Sequence, residues 1–282
     1  MNAAEKTMKR NNIIFNILSI IILAVMFFPL YWTFVTSLKY EQEIFRVPPT
    51  FFPSRINTAS YLAQLKSGDF NMFRAFGNSA IISICSMLIA VLLSVPASYA
   101  IARFRFKGKK FCVLIFLITQ MLPVSVLLTP MFIIFRNMSL LNSYFSPILA
   151  DATIGIPFSV LILKDYFASV PKELDDASRI DGCNYFSSFL RVFTPIAFPG
   201  VIVCAVFSFL YAWGDLAYGM TFIQLQPMRP ITAGIFNFMG QYGTKWSYLT
   251  AFAVVTIIPV TLIFIFMQKY IISGLTKGAV KG

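Results

Sequence analysis

"PKELDDASRIDGCNYFSSFLRVFTP", residues 171–195, separates two long apolar runs and decides how the rest of the sequence is interpreted. Its first twelve residues include four acids and two bases. In the whole chain of 282 residues, by contrast, 12% of residues are charged, 58% are hydrophobic and the mean hydropathy is +0.76. Soluble domains have about 25% charged residues. The composition therefore predicts an all-α integral membrane protein in which this charged stretch lies outside the bilayer.

Six apolar runs are each about as long as the ~20 residues that a helix needs to cross the hydrocarbon core. The predicted spans are 13–37, 77–101, 111–135, 147–167, 194–214 and 247–268. The first run is longer than the apolar core of a signal peptide and no cleavage site follows it, so we expect a retained helix. Pro123 and Pro130 predict kinks in the third span, and Asp151 interrupts the fourth near its outer end.

The positions of Lys and Arg orient these spans. Five bases and no acid lie between the second and third spans, at 103–110, as is typical of a short cytoplasmic loop. When both termini are placed in the cytoplasm, most bases of the chain fall on the cytoplasmic side. We therefore predict that 1–12 and 269–282 are cytoplasmic and that 38–74 is a long external segment.

The sequence lacks the motifs that several classes of protein need. It contains no P-loop, nucleophile elbow, HExxH or dinucleotide-binding fingerprint, and no His, so we predict neither catalytic residues nor a metal site. The four Cys lie in or near apolar runs without a CxxC pair, which is typical of small buried residues. The net charge of +12 comes from bases at the ends of apolar runs, so we expect no nucleic-acid partner.

The charged half of the loop predicts a short helix. Pro171 suits a first helical turn, where a missing N–H costs nothing. The acids of that turn, which the positive end of the helix dipole favours, are Glu173, Asp175 and Asp176. Lys172 and Asp176, and likewise Asp175 and Arg179, are spaced i,i+4, so each pair can share one exposed face.

The second half of the loop predicts another short helix with an aromatic stripe. Gly182 suits a left-handed helix stop, and Asn184 suits the N-cap of the next helix. The stripe at i, i+3, i+4 and i+7 consists of Phe186, Phe189, Leu190 and Phe193. Pro195 is expected to end this helix before the fifth span. Helices on anionic lipid are usually rich in Lys and Arg, so the preceding acids favour docking into a protein partner.

These residues resemble the EAA loop of binding-protein-dependent ABC importers. In that pattern three residues separate E-A-A from a Gly, and nine residues separate the Gly from I-x-L-P; here the matching positions are Asp176-Ala177-Ser178, Gly182 and Val192 to Pro195. Asp176 and Ser178 depart from the usual Glu and Ala. The carbohydrate-uptake branch, of the maltose-permease G-subunit type, is also similar at "FPLYWTFVTSLK" (28–39), "ASYAIARFRFKGKK" (97–110), "MLPVSVLLTPMF" (121–132) and "GLTKGAVKG" (274–282).

The resemblance implies a type I ABC importer permease fold with six transmembrane helices and a core permease domain at about 73–268, in the cell membrane of a bacterium. It implies import of a sugar such as an oligosaccharide, and a complex with a second homologous permease, an ABC ATPase dimer and an extracytoplasmic solute-binding protein. The chain itself is expected to bind no cofactor, because ATP and Mg are used by the partner ATPase. An ion-coupled secondary transporter and a membrane scaffold without an ATPase are the alternative classes.

The resemblance also supplies candidate sites. The coupling loop, 169–193, is expected to insert its short helix into a cleft of the ATPase. The residues expected to dock are Glu173, Asp176, Ala177, Ser178, Gly182, Phe186, Phe189 and Pro195, and those of a secondary contact in the tail are Thr276, Lys277 and Gly278. The candidates for the substrate path, Gln120, Ser125, Trp213 and Asp215, are polar or aromatic side chains in or beside spans; a Trp at an interface or a solvated Asp also explains two of them.

Overall fold

The computed structural model describes residues 3–66, 71–240 and 243–279, and their regular structure is almost entirely helical. The helices are α1 Ala3–Ser37, α2 Glu41–Ile44, α3 Ala59–Lys66, α4 Met72–Arg103, α5 Lys109–Met121, α6 Val124–Asn137, α7 Phe145–Ser169, α8 Glu173–Ile180, α9 Tyr185–Ser188, α10 Thr194–Gly214, α11 Ala217–Phe222, α12 Ile231–Gly234 and α13 Trp246–Ala279. The antiparallel pair β1 Met239–Gly240 and β2 Gly243–Thr244 forms a short ribbon. The predicted all-α class is confirmed. The chain divides into two compact units: Met1–Lys66 with Ile235–Val255, and Ser67–Gly234 with Thr256–Gly282.

The first unit ties the residues after the first span to the start of α13. The carboxylate of Glu41 in α2 accepts hydrogen bonds from the backbone N–H (2.9 Å) and the hydroxyl (2.8 Å) of Ser247. The side-chain amide of Gln64 in α3 donates to the carbonyl of Tyr248 at 3.1 Å. Buried polar groups need such partners, so these bonds give the segment a defined path rather than that of an open loop.

The second unit has its core between α4, α7 and α10. The large buried side chains of this core are Tyr99, Leu163, Phe167 and Phe193. Two glycines let the helices approach closely: a Cβ added at Gly200 lies 2.7 Å from the ring of Tyr166, and one at Gly155 lies 2.9 Å from Oγ of Ser208. Small residues at helix contacts have this role in membrane bundles, where packing rather than the hydrophobic effect joins helices.

Within the described residues, five helices are long and apolar enough to cross a membrane. They are Asn12–Ser37, Met72–Arg103, Phe145–Ser169, Tyr185–Gly214 and Trp246–Tyr270. The pair α5 and α6 supplies a sixth span if it is counted as one. The fifth helix of this set begins at Tyr185, whereas the predicted fifth span begins at 194, and this difference changes how the loop is built.

The third predicted span, 111–135, is divided into two helices that meet at an angle of 101°. The break lies at Pro123, before which Leu122 has an extended backbone (φ −76°, ψ 123°). Proline disfavours the helical conformation in the residue before it, so a helix ends there. Pro130, the other predicted kink, lies inside α6. The prediction of one kinked helix is therefore wrong at Pro123, where the helix is broken.

Candidate functional site

The loop begins with α8, whose first turn carries the three predicted acids. Lys172 is the N-cap residue, and Pro171 lies before the helix rather than in its first turn. The carbonyl of Pro171 instead accepts a hydrogen bond from Nη2 of Arg103 at 3.2 Å, which fixes it outside α8. The prediction for Pro171 is wrong because a contact from α4, distant in sequence, places the start of the helix.

Gly182 ends α8 in the left-handed conformation, as predicted. Its φ is +77°, its N–H bonds to the carbonyl of Arg179 at 3.0 Å, and the N–H of Cys183 bonds to the carbonyl of Ser178 at 2.9 Å. These bonds satisfy carbonyls that a helix end otherwise leaves unpaired. No atom lies within 4 Å of an added Cβ, so the requirement for Gly here comes from the backbone alone.

Ser178 joins the two halves of the loop. Its side chain is 4% exposed; Oγ donates to the carbonyl of Asp175 at 2.8 Å and lies 2.9 Å from Oγ of Ser188. The small hydroxyl therefore faces inward and cross-links α8 to α9. The prediction that Ser178 docks onto a partner is corrected: this departure from the E-A-A pattern has an internal role.

The aromatic half of the loop continues directly into the fifth span. Asn184 is the N-cap, as predicted, and its side chain accepts a hydrogen bond from the N–H of Ser187 at 2.8 Å. A π-helical turn, Phe189–Phe193, then joins α9 to α10 without a break. The N–H and the hydroxyl of Thr194 both bond to the carbonyl of Phe189. The prediction that Pro195 ends a separate helix is wrong, because this wider turn admits a residue without an N–H.

The aromatic stripe is divided between the core and the surface. Phe193 is fully buried, and the ring of Phe189 packs against Tyr99 with 4.9 Å between centroids. Phe189 is half-buried against this core, and its role as a docking anchor stays a prediction. The other predicted docking residues are exposed: Glu173, Asp176, Ala177, Gly182, Phe186 and Pro195.

Ile180, Tyr185 and Leu190, which are not among the predicted docking residues, add to the exposed face of the loop. Ile180 is 86% exposed and Phe186 is 69% exposed, and Tyr185 and Leu190 are exposed beside them. Ile180 and Tyr185 are not among the predicted docking residues, although Ile180 is a large apolar residue in the last turn of a charged helix. We call the exposed residues Glu173, Asp176, Ile180, Tyr185 and Phe186 the docking face; it combines apolar and acidic side chains.

Arg103, the last residue of α4, fixes the loop to the core. Its Nε lies 3.6 Å from Oδ2 of Asp175, an ion pair without a hydrogen bond, and its guanidinium stacks on Phe193 with 4.4 Å to the ring centroid. Arg179, the predicted partner of Asp175, instead lies over the ring of Tyr185 at 3.6 Å. From the sequence, Arg103 is assigned only to a basic loop. No local pattern indicates its contact with Asp175, which lies 72 residues further along the chain.

Trp213 and Asp215, two candidates for the substrate path, have structural roles in the second unit. The Trp213 side chain is buried, its Nε1 donates to the carbonyl of Thr256 at 3.0 Å, and its ring packs against Phe76 and Phe209. The carboxylate of Asp215 accepts hydrogen bonds from the N–H groups at the start of α11, 3.2 and 2.9 Å away. A short capped helix thus begins where the fifth span ends.

Gln120, Ser125 and Asp151 are further polar groups near membrane depth. Gln120 donates to the carbonyl of Ile154 at 3.0 Å, and Ser125 is exposed on α6. Asp151, in α7, is 2% exposed, and within the described residues neither carboxyl oxygen has a hydrogen-bond partner. Thr276, Lys277 and Gly278 lie in the last turns of α13, whose side chains beyond Tyr270 are outside the described residues.

The chain thus combines helices long and apolar enough to span a membrane with a loop that is locked to the core and exposes an apolar and acidic face. Residues 90–277 match the family model of the binding-protein-dependent transport system inner membrane component. The chain belongs to this family. It is therefore an inner-membrane permease subunit of ABC importers and not an enzyme, and transport by such systems depends on a binding protein.

Relatives and solved structures agree with this assignment over nearly the whole chain. The chain is 30% identical to the diacetylchitobiose uptake system permease protein DasC of Streptomyces coelicolor, covering 95% of this chain and 96% of that protein. It is 32% identical to the sulfoquinovosyl glycerol transport system permease protein SmoH of Agrobacterium fabrum, covering 90% and 89%. A bacterial ABC transporter structure involved in alginate import shares the fold, with a TM-score of 0.79, 18% identity and 96% and 98% coverage.

Proposed function

We propose that this chain forms half of the translocation pathway of an ATP-driven sugar importer, together with a second, homologous permease subunit. The permease proteins to which it is similar belong to systems for diacetylchitobiose, sulfoquinovosyl glycerol and arabinooligosaccharides. These compounds share a glycosyl unit, which supports a sugar conjugate or short oligosaccharide as the substrate. A solute-binding protein delivers it from outside the membrane.

The observation that carries the proposal is the docking face. The acids Glu173 and Asp176 fit poorly on anionic lipid, whereas exposed Ile180 and Phe186 need an apolar surface to cover them. A cleft in an ATPase subunit that offers apolar walls and basic residues satisfies both requirements. ATP and Mg are bound by that ATPase and not by this chain, which contains no P-loop.

Coupling follows from how the loop is attached. Because Arg103 and the ring of Phe189 hold the loop to α4 and Tyr99, movement of a docked ATPase is transmitted to the helices of the core. Nucleotide favours one state of the permease pair only if the docked contacts differ between states, and the loop is where those contacts are made. The pair then alternates as rigid bodies between inward-open and outward-open forms. Thr276, Lys277 and Gly278 are proposed as a secondary contact with the ATPase.

The test introduces charge into the docking face. In the double variant Ile180→Glu/Phe186→Glu we expect the ATPase to dissociate during purification and ATP-driven uptake of the labelled sugar to be lost, since a buried hot-spot residue contributes about 2 kcal/mol or more. Phe106→Glu is the matched control. Phe106 is an exposed apolar residue of the loop that follows α4, and the last residue of α4, Arg103, contacts the coupling loop. Full uptake by the double variant, or uptake that follows an ion gradient when the ATPase is absent, would contradict the proposal.

A further inference from the structure

The residues after the first span fold back on the end of that span. The hydroxyl of Tyr31, in the last two turns of α1, donates to the carbonyl of Phe51 at 2.6 Å. The rings of Trp32 and Phe51 lie 5.9 Å apart, and those of Tyr31 and Phe52 lie 6.3 Å apart. Trp and Tyr at the end of a spanning helix lie at the boundary between hydrocarbon and headgroups. Phe51 and Phe52 are therefore held at the depth of the lipid headgroups.

Beside this turn lies an open groove of about 580 Å³ that carries two unpaired positive charges. Its lining residues are Tyr40, Gln42, Glu43, Arg46, Ser54 and Arg55. Arg46 and Arg55 are exposed, and neither guanidinium forms an ion pair or hydrogen bond within the part of the chain that the structure describes. Guanidinium groups bind phosphate oxygens through paired N–H donors, so the groove has the donors that an anionic headgroup needs.

The acid in the lining is already occupied. Oε1 of Glu43 accepts hydrogen bonds from the hydroxyl of Thr50 (2.8 Å) and from the N–H (2.8 Å) and hydroxyl (2.9 Å) of Ser54. Slight burial raises the pKa of Glu43, but these hydrogen bonds and the charge of Lys39 outweigh it and leave the pKa below its usual value. The carboxylate thus holds the wall of the groove together and leaves the two arginines as its free charges.

A buried lysine gives the groove a fixed frame. Lys39 is 2% exposed, although Lys is almost never fully buried. Its ammonium lies 4.7 Å from the centre of the Trp32 ring and donates to the carbonyl of Thr50. The N–H of Asn57 bonds to the carbonyl of Leu38 at 2.8 Å, which closes the segment at its base. The groove is therefore attached to the same turns of α1 that fix its depth in the membrane.

Apolar side chains surround the charged groove and are open to the surroundings. Val47 is 89% exposed, and Phe45, Phe52 and Ile56 are also more than half exposed. Arginine beside exposed phenylalanine at the depth of headgroups is the pattern of an interfacial membrane anchor, in contrast to the acidic docking face.

We propose that the segment from Tyr40 to Ile56 binds an anionic phospholipid, with the lipid phosphate between Arg46 and Arg55 and the acyl chains along Val47 and Phe52. The fixed depth of the segment on α1 favours lipid over a protein as the occupant. The site anchors the first unit in the headgroup layer, and it does not depend on which substrate the importer carries.

The test measures lipid retained by the purified full chain. Native mass spectrometry after exchange into detergent with phosphatidylglycerol should show bound lipid, and neither phosphatidylcholine nor inorganic phosphate at equal phosphorus concentration should compete for it. A basic residue near the membrane surface contributes about 1 kcal/mol, so each of Arg46→Gln and Arg55→Gln should weaken retention about fivefold. Arg74→Gln, an exposed arginine outside the groove, is the matched control.

Three results would overturn this proposal. Equal retention by the double variant Arg46→Gln/Arg55→Gln and the unmodified chain would show that the groove is not the lipid site. Displacement by inorganic phosphate would assign it to a free anion. Unchanged lipid retention together with weaker association of the solute-binding protein would assign the groove to a protein contact. Thermal unfolding of each variant confirms that the chain remains folded, since both arginines are exposed and neither guanidinium bonds to another of the described residues.

Discussion

The loop 171–195 and the segment 40–56 are both folded regions outside the spans, yet they expose opposite charges. Each is fixed to a helix by a basic residue that lies outside it: Arg103, the last residue of α4, for the loop and Lys39, just after α1, for the segment. Around its exposed apolar residues, however, the loop presents acids and the segment presents arginines. The contacts that anchor each region are therefore independent of the charge on its surface. The surface charge indicates the partner, which is a protein cleft for the loop and the headgroup layer for the segment.

The largest effect is expected at Gly182, where the loop depends on one backbone conformation. Valine at φ +77° is strongly disfavoured, because a β-branched residue is an outlier in the left-handed region, where even ordinary residues cost about 1–2 kcal/mol. We expect Gly182→Val to reorient α9 relative to α8 and to lower ATP-driven uptake at least about tenfold, with normal amounts in the membrane. Asn tolerates this region, so Gly182→Asn should retain most uptake; equal uptake by both variants and the unmodified chain would contradict the coupling role.

A smaller effect is expected when the loop is detached from the core. Arg103→Met removes the ion pair with Asp175, the bond to the carbonyl of Pro171 and the charge on the Phe193 ring, and should destabilise the folded chain by about 1–3 kcal/mol. Arg103→Lys keeps the charge but not the planar group, and we expect an intermediate result. Thermal unfolding and the rate of proteolysis within 171–195 measure the change. A stable Arg103→Met variant with a protected loop would show that the aromatic packing alone is sufficient.

The smallest effect is expected in the segment, as a dependence on pH. Because hydrogen bonds keep the pKa of Glu43 below that of an unfolded Glu, the ionised carboxylate stabilises the folded segment above the unfolded pKa. This stabilisation should be lost as pH falls through the lower, folded pKa. Proteolysis near Arg55 should then accelerate on acidification, and Glu43→Gln should already be fast at neutral pH and show little further change. The proteolysis of 171–195 serves as the internal control, and a parallel acid response there would refute the local explanation.

Predictions that depended on local backbone chemistry succeeded. Gly182 has the left-handed conformation and Asn184 caps the next helix, because a helix stop and an N-cap are decided by a few adjacent residues. Pro171 and Pro195 were placed wrongly for the opposite reason. A bond from Arg103 fixes the first outside its helix, and a π-helical turn lets the second lie inside a continuous one.

The structure divides the predicted docking residues between the surface and the interior of the loop. The stripe at helical spacing placed Phe186 and Phe189 on one face, but Tyr99 from α4 covers Phe189 and leaves Phe186 exposed. Ser178 occupies a position of the E-A-A motif in the sequence, but in the structure its side chain cross-links α8 to α9. The spacing of residues along one helix does not show which of them a neighbouring helix covers. Residues such as Ile180 are therefore identified as exposed only when the packing of the helices is known.

The sequence by itself determined that the chain is an all-α membrane protein and where the charged loop bends, because hydropathy, glycine and capping residues act within a few turns. The resemblance of that loop to the EAA motif, and not hydropathy, indicated a permease. Only the tertiary structure decided that Arg103 holds the loop and that Lys39 holds the groove. Those features arise from contacts between residues that are distant in the chain, and such contacts are set by how the helices pack and not by local preference.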